Sequence, residues 1–415
     1  MKRKLLALAV AGAFFAPVAA MADGSGIVLT GVVHGDIGFG QEKADNGDKV
    51  YKRQANIGTF ATRWEIDGTE DLGWSQAIFG LAVDQKFAGG KCSGAVCNNN
   101  NIGDLNNRNS FLGLTGGWGT LKIGQNEHVY EIQQILQDPD PASENTFSTL
   151  SLMTTWGGVH PGFTRRDPQS IWYTSPSFAG VTVDVAYITP GGLAKNGTST
   201  TVTGGGVTDC SLTAGGVSKG GPIGFDALGK PVYSTVGSCF VSPFTSTVVD
   251  TQGLSPNGYQ LAANWKAPFG LALYGAFAQY NDDDGAKSKN RAFRLGAGYG
   301  TELFQVDVFG EQVKYTADGG TNDKQTNIGV SGALNLGQHH IRAALSSAGK
   351  LKSSGSTVPD SSARLFLIGY AFTLSKRTEF QVNYGRVDNK KNASYAVSGA
   401  GNDADRFGVG IRHTF

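Results

Sequence analysis

The sequence predicts an all-β chain of sixteen antiparallel strands closed into a transmembrane barrel. Three observations carry that expectation. Apolar and polar residues alternate with a period of two in runs of about ten residues, the length of a strand that crosses a membrane at a tilt. Tight turns alternate with long polar loops between those runs. Beyond the N-terminal segment no stretch of eighteen apolar residues occurs, so any crossing of a bilayer falls to strands.

Composition agrees. The chain has 415 residues, of which 60 are glycine, about twice the average share of ~7%. Phe (23) and Tyr (13) dominate the aromatics, and methionine is scarce at 3. The mean hydropathy of −0.18 is too low for a bundle of membrane helices. Apolar residues spread along the whole length argue against disorder. Lys2, Arg3 and Lys4 lie in a removable segment, and without them the 35 basic residues no longer outnumber the 34 acidic ones. Bulk charge therefore gives no sign of nucleic-acid binding.

Residues 1–22 read as a cleaved signal peptide. A basic start (Lys2, Arg3, Lys4) precedes an apolar run from Leu5 to Val18, and Ala20-Met21-Ala22 is a small-x-small cleavage pattern. The run falls short of the ~20 residues of a spanning helix, which disfavours an anchor. The mature chain is expected to begin at Asp23 and to form a single barrel domain, 23–415.

The alternation is plain in several runs. Between Leu303 and Glu311, Phe304, Val306 and Val308 alternate with Gln305, Asp307 and Phe309. In Val181 to Tyr187, valines and Tyr187 alternate with Thr182, Asp184 and Ala186. From Arg406 to Phe415, Phe407, Val409, Ile411, His413 and Phe415 alternate with Arg406, Gly408, Gly410, Arg412 and Thr414. Successive side chains on a strand point to opposite faces, so each run has one apolar face. Sixteen runs are expected near 27–39, 53–67, 75–87, 108–115, 119–125, 169–175, 180–188, 258–266, 270–280, 290–299, 303–315, 325–335, 338–346, 363–373, 378–387 and 405–415. The even count returns both chain ends to one rim.

The short connections have turn-forming composition, as in Glu70-Asp71-Leu72-Gly73, Ala267-Pro268-Phe269-Gly270 and Asn335-Leu336-Gly337-Gln338. The long ones (88–107, 282–289, 316–324, 348–361, 389–403) are rich in Gly, Ser, Asn, Asp and Lys. Two connections exceed the rest, 126–168 and 189–257. The second is read as a large external loop, because the same hairpin grammar continues on both sides.

Sixteen strands enclose more space than side chains fill, so the polar face points into a wet lumen and the apolar face into lipid. Closure pairs every backbone group, as lipid demands. The polar faces carry Arg63, Glu65, Asp67, Lys122, Asp184, Arg294, Asp307, Glu311, Arg342 and Arg412. Tyr187, Tyr299, Tyr315, Tyr384 and Phe415, at strand ends, suit interfacial aromatic girdles.

Cys92, Cys97, Cys210 and Cys239 are the cysteines. In an oxidising compartment, 92–97 and 210–239 are possible disulfides, and three connectivities stay open. No histidine cluster accompanies them, so no metal site is expected. Asp282-Asp283-Asp284 reads as a solvated loop tip rather than a calcium site. None of the six histidines sits in a Ser/His/Asp setting, so no enzyme and no cofactor is expected.

Specific segments carry a family resemblance. GTFATRWEIDGTEDLGWSQAIFGL (58–81), RNSFLGLTGGWGTLKIGQ (108–125), SIWYTSPSFAGVTVDVAY (170–187) and the terminal GVGIRHTF resemble, in order and spacing, hairpins and the closing strand of the general bacterial porins. The chain departs from the pattern at Gln125-Asn126, where the family has Arg-Gln, and in its long 189–257 loop.

The resemblance implies an outer-membrane, water-filled channel for passive diffusion of ions and small hydrophilic solutes. A substrate-selective channel for sugar, phosphate or organic acid is the alternative. It also implies a homotrimer surrounded by outer-membrane lipid. It implies a third loop, here 126–168, folded into the pore as the constriction. That loop carries Glu127, Glu131, Asp138, Asp140, Glu144, Arg165 and Arg166. The facing wall residues it implies are Arg63, Lys122, Arg294 and Arg342, with Arg63 foremost. Phe415 takes the place of the family's assembly signal.

Overall fold

The computed structural model describes residues 25–58, 62–85, 108–127, 129–130, 152, 163, 166–190, 203–210, 224–225, 231–232, 239–245, 256–282, 287–317, 320 and 322–415. The expected leader and Cys92 and Cys97 lie outside them. In chain order the first strands are β1 (Gly26–Lys43), β2 (Lys49–Gly58), β3 (Arg63–Asp71), β4 (Gln76–Asp84), β5 (Ser110–Gly116), β6 (Gly119–Glu127), β7 (Arg166–Thr174) and β8 (Val181–Ile188). Then come β9 (Thr203–Cys210), β10 (Gly224–Phe225), β11 (Pro231–Val232), β12 (Cys239–Thr245), β13 (Asn257–Lys266), β14 (Leu271–Asn281), β15 (Ser288–Gly300) and β16 (Phe304–Ala317). The last are β17 (Asn322–Leu336), β18 (His339–Ala348), β19 (Lys352–Ser353), β20 (Ser356–Thr357), β21 (Ala363–Ser375), β22 (Thr378–Asn389) and β23 (Asp403–Thr414).

The described residues divide into two compact units. One comprises those up to 190 and from 256 onward, the other those between 203 and 245. In the first, each strand pairs antiparallel with the next, and β23 returns to pair with β1 from Val32↔Thr414 to Lys43↔Asp403. The same edge of β1 that pairs β3 over Gly26–Val32 pairs β2 over Asp36–Lys43, so β2 and β3 are two lengths of one barrel strand. Counted so, and with β8 joined to β13 and β18 to β21, the ring is a closed antiparallel barrel of sixteen strands. All sixteen predicted runs fall on these strands, and several, such as β1 and β15, extend further into the loops than alternation predicts.

The second unit contains two antiparallel pairs, β9 with β12 and β10 with β11. Cys210 and Cys239 are register partners there. The loop expected at 348–361 carries the small β19–β20 hairpin, which extends the β17 ladder through Lys324↔Lys352.

Turn chemistry follows the sequence. Gly337 begins the two-residue turn between β17 and β18 with φ at 66°, which suits glycine. Gly270 has φ at 97°, and a Cβ there would stand 2.2 Å from the Gly300 carbonyl oxygen, so the β13–β14 turn admits no side chain.

Burial is the inverse of a soluble protein's. On β16, Val308 is 53% exposed while its neighbour Asp307 is fully buried. Ile27, Leu29, Leu112, Leu295, Ile328, Leu345 and Ile411 are likewise exposed on the outward face. Such a surface is stable in hydrocarbon, where water is absent and the ladder satisfies the backbone. Tyr299 and Phe415 lie on that face at the short-turn rim, 42% and 39% exposed. Tyr187 packs against Tyr259 and Tyr384 against Phe366. Tyr315 corrects the girdle expectation. It shares parity with Glu311 and Val313, so its ring points inward and is buried.

Candidate functional site: the charged lining of the barrel

Strand parity places charge on the inner wall. All ten charged residues predicted for the polar faces occupy inward positions, in register with other inward residues: Arg63 opposite Val32, Lys122 opposite Trp172, Arg294 opposite Glu311, Arg412 opposite Glu379. Their surroundings differ. Arg63 Nε lies 2.6 Å from Glu65 Oε1, two residues along the same strand face, and both side chains keep partial access to the lumen. Lys122 Nζ stands 4.2 Å from the centroid of Phe111 and 5.9 Å from that of Trp172, a cation over two ring faces. Arg342 has no ion pair among the described residues. Arg412 Nη1 lies 3.7 Å from Glu379 Oε1.

Arg294 is different in kind, because it is fully buried. Its Nη2 donates to Glu311 Oε2 at 2.7 Å and its Nη1 to the Tyr130 carbonyl at 3.2 Å. The guanidinium lies 4.4 Å from the Tyr130 ring centroid and 5.4 Å from that of Phe309. Tyr130 donates its hydroxyl to the same Glu311 Oε2 at 2.9 Å, and Asn327 donates to Oε1 at 2.9 Å. The carboxylate thus accepts three bonds, the arrangement a buried charge requires. Arg294 holds the start of the 126–168 connection to the wall rather than facing open space.

That anchor is part of a larger one. Val129 N donates to Gln260 Oε1 at 2.7 Å, and Gln260 Nε2 donates to Asp167 Oδ2 at 3.0 Å. Tyr280 donates to the same Asp167 oxygen at 2.7 Å. Phe163 bridges Tyr130 and Tyr280, with ring centroids 5.8 Å from each. Both ends of the connection therefore pack on inward residues of β13–β16. Leu152, from its middle, is fully buried with Ala344, Leu365, Leu367 and Val387, inward residues of β18, β21 and β22. Glu127 pairs with Arg166 at the base. Glu131, Asp138, Asp140, Glu144 and Arg165 lie outside the described residues.

The position where a basic residue was expected is neutral here. Gln125 donates to the Arg108 carbonyl at 2.9 Å, and Arg108 pairs with Asp84 instead. Two inward features escaped the sequence reading. Arg406 Nη2 bonds Asp36 Oδ2 at 2.7 Å across the β1–β23 seam. Glu42 Oε1 accepts from Ser398 N, Ser398 Oγ and Asn402 Nδ2, which ties loop 389–403 back to the barrel. Parity alone assigns Asp36 and Arg406 inward, but their partnership requires knowing that the ends of the chain meet. The inward aromatics Trp172, Tyr274, Tyr280, Phe309, Tyr315 and Tyr395 are each at most 9% exposed. They are an inward minority, because most strand aromatics, among them Phe39, Phe293, Tyr299, Phe304 and Phe407, take outward positions.

Known proteins resemble this architecture. The chain is 25% identical over 428 residues to major outer membrane protein P.IB of Neisseria meningitidis serogroup A, covering all of both chains. It is 30% identical over 207 residues to P.IA of the same serogroup, covering 45% of this chain and 47% of that one. Among solved structures, the anion-selective porin from Comamonas acidovorans superposes with a TM-score of 0.64 at 17% identity, covering 94% of this chain and all of the other. OmpT of Vibrio cholerae, in its trimer form, gives a TM-score of 0.60 at 12% identity, covering 95% and 100%. The family description "Gram-negative porin" matches residues 7–392, and with a closed barrel that is apolar outside and charged within, the chain belongs to the Gram-negative porin family.

Proposed function

We infer that the chain, an outer-membrane porin of multi-pass β-barrel form, acts as a water-filled channel for ions and small hydrophilic solutes. We propose that the 126–168 connection narrows this channel by crossing its bore, and that passage is selected by size and charge rather than by a solute-binding site. One observation carries the reading: Tyr130 and Phe163 are anchored on the wall at β13–β16, and Leu152 is buried on a separate sector at β18–β22. The proposed crossing joins those two sectors. Size and charge selection is favoured over a sugar path because the inward aromatics Trp172, Tyr274, Tyr280, Phe309 and Tyr315 are covered by packing. The channel reading assigns the chain no enzymatic step and no cofactor.

Arg63 is the wall cation expected to influence ion preference. Arg63→Gln removes a positive charge and leaves Glu65 at the lumen surface, so the reversal potential in a salt gradient shifts toward cation preference. Stability changes by only ~0–1 kcal/mol, as for a water-exposed pair. An unmoved reversal potential would remove Arg63 from the selectivity path.

The barrel is further proposed to assemble as a homotrimer in outer-membrane lipid. The family likeness and the solved trimer of OmpT support this, as does the exposed apolar surface at Ile27, Leu29 and Trp74. Unboiled protein in mild detergent is expected to scatter light with three times the chain mass and to fall to monomer on boiling. A monomer mass before boiling rules the trimer out.

A further inference from the structure

Outside the lumen, the long-loop rim carries a row of cations that the pore does not use. Arg291 is the register partner of Lys314, Lys314 of Lys324, and Lys324 of Lys352. All four occupy outward positions on β15, β16, β17 and β19. Like charges directly opposite on neighbouring strands are destabilising. Among the described residues the row makes one side-chain hydrogen bond, to a neutral group, Arg291 Nε to Gln279 Oε1 at 3.0 Å, and none of the four has an ion pair. An external anion is what neutralises such a row.

A second feature lies next to it. Four residues along β15, β16 and β17 from Arg291, Lys314 and Lys324, or about 13 Å, lie Leu295, Gly310 and Ile328, a register row that Ser347 of β18 continues. Gly310 and Ser347 leave gaps between the larger side chains. A groove on the outward face results, lined by Leu295, Val308, Ile328, Val330 and Leu345. Arg364, the register partner of Ser347, flanks it, with Asp388 opposite Arg364 on β22.

We propose that this surface binds an anionic phosphate-bearing lipid of the outer leaflet, its headgroup on the cation row and an acyl chain in the groove. Short connections face the periplasm and long loops the exterior, so the row lies at outer headgroup level. Each Lys or Arg near a membrane surface attracts anionic headgroups by about 1 kcal/mol. The apolar groove beneath the row favours a lipid over free phosphate. The inference rests on the membrane-spanning barrel and not on how solutes pass, because every residue in it faces away from the lumen.

The test uses the full chain in bilayers of phosphatidylcholine doped with phosphatidic acid of the same chains. Lipid retained per barrel is counted by native mass spectrometry, and single-channel conductance is recorded in parallel. Phosphatidic acid is expected to be retained over phosphatidylcholine. Neutralising Arg291, Lys314, Lys324 and Lys352 to Gln together is expected to lower that preference about tenfold or more, with conductance unchanged. Lys314→Gln and Lys324→Gln made singly lower it severalfold, and Lys314→Arg preserves it. Gly310→Leu, which fills the groove, weakens retention without touching the cations. Equal retention by wild type and the charge variants overturns the proposal, and so does displacement of the lipid by inorganic phosphate at matching concentration. A barrel that retains lipid yet fails to conduct contradicts the channel reading alone.

Discussion

Replacing Glu311 with leucine lowers the stability of the barrel by about 3–5 kcal/mol, the cost of leaving one partner of a buried ion pair uncompensated. Arg294 and Glu311 are both fully buried, and the carboxylate also accepts from Tyr130 and Asn327. The loss appears as a lower denaturant midpoint for the folded-to-unfolded gel shift. Adding Arg294→Met to Glu311→Leu recovers much of it, because no buried charge then remains. A single variant with the wild-type midpoint would show that the cluster is water-accessible and not the anchor described.

Excising residues 131–162, with a short Gly-Ser bridge between Tyr130 and Phe163, raises single-channel conductance severalfold and admits larger neutral solutes in a liposome-swelling assay. The anchors at Tyr130 and Phe163 remain and hold the bridge to the wall, and among the described residues only the packing of Leu152 is lost from the connection's contacts. Pore resistance is set by its narrowest cross-section and the charges lining it, and the excised segment carries Glu131, Asp138, Asp140 and Glu144. Unchanged conductance and solute cut-off would place the narrowing elsewhere on the wall.

The barrel was legible because lipid inverts the usual rule without weakening its period. From Phe304 to Gly310 every second residue of β16 is apolar or glycine and outward, and the charges at Asp307 and Glu311 fall on the other parity. Turn residues such as Gly337 and Gly270 marked one rim, since positive φ is a local requirement that composition reveals. Parity also placed all ten predicted wall charges inward. It failed where tertiary contacts decide. Tyr315 was assigned to a girdle because strand-end tyrosines often sit there, yet its parity matches Glu311 and it belongs to the packing around Tyr130. The anchoring of Arg294 was hidden because its partners, Tyr130 and Glu311, lie 164 and 17 residues away. The same holds for Asp36 and Arg406, separated by 370 residues and joined only by closure of the ring. The neutral Gln125 was visible as a departure, but the Arg108–Asp84 pair beside it was not.

The most direct measurement is single-channel current through the purified, full-length barrel in a planar bilayer under a salt gradient. The account predicts discrete steps with a linear current–voltage relation, and a conductance that rises with bulk salt without saturating. It also predicts a finite reversal potential set by the wall charges. A sealed bilayer with no steps, or a current that saturates with one particular solute, would contradict a water-filled diffusion pore.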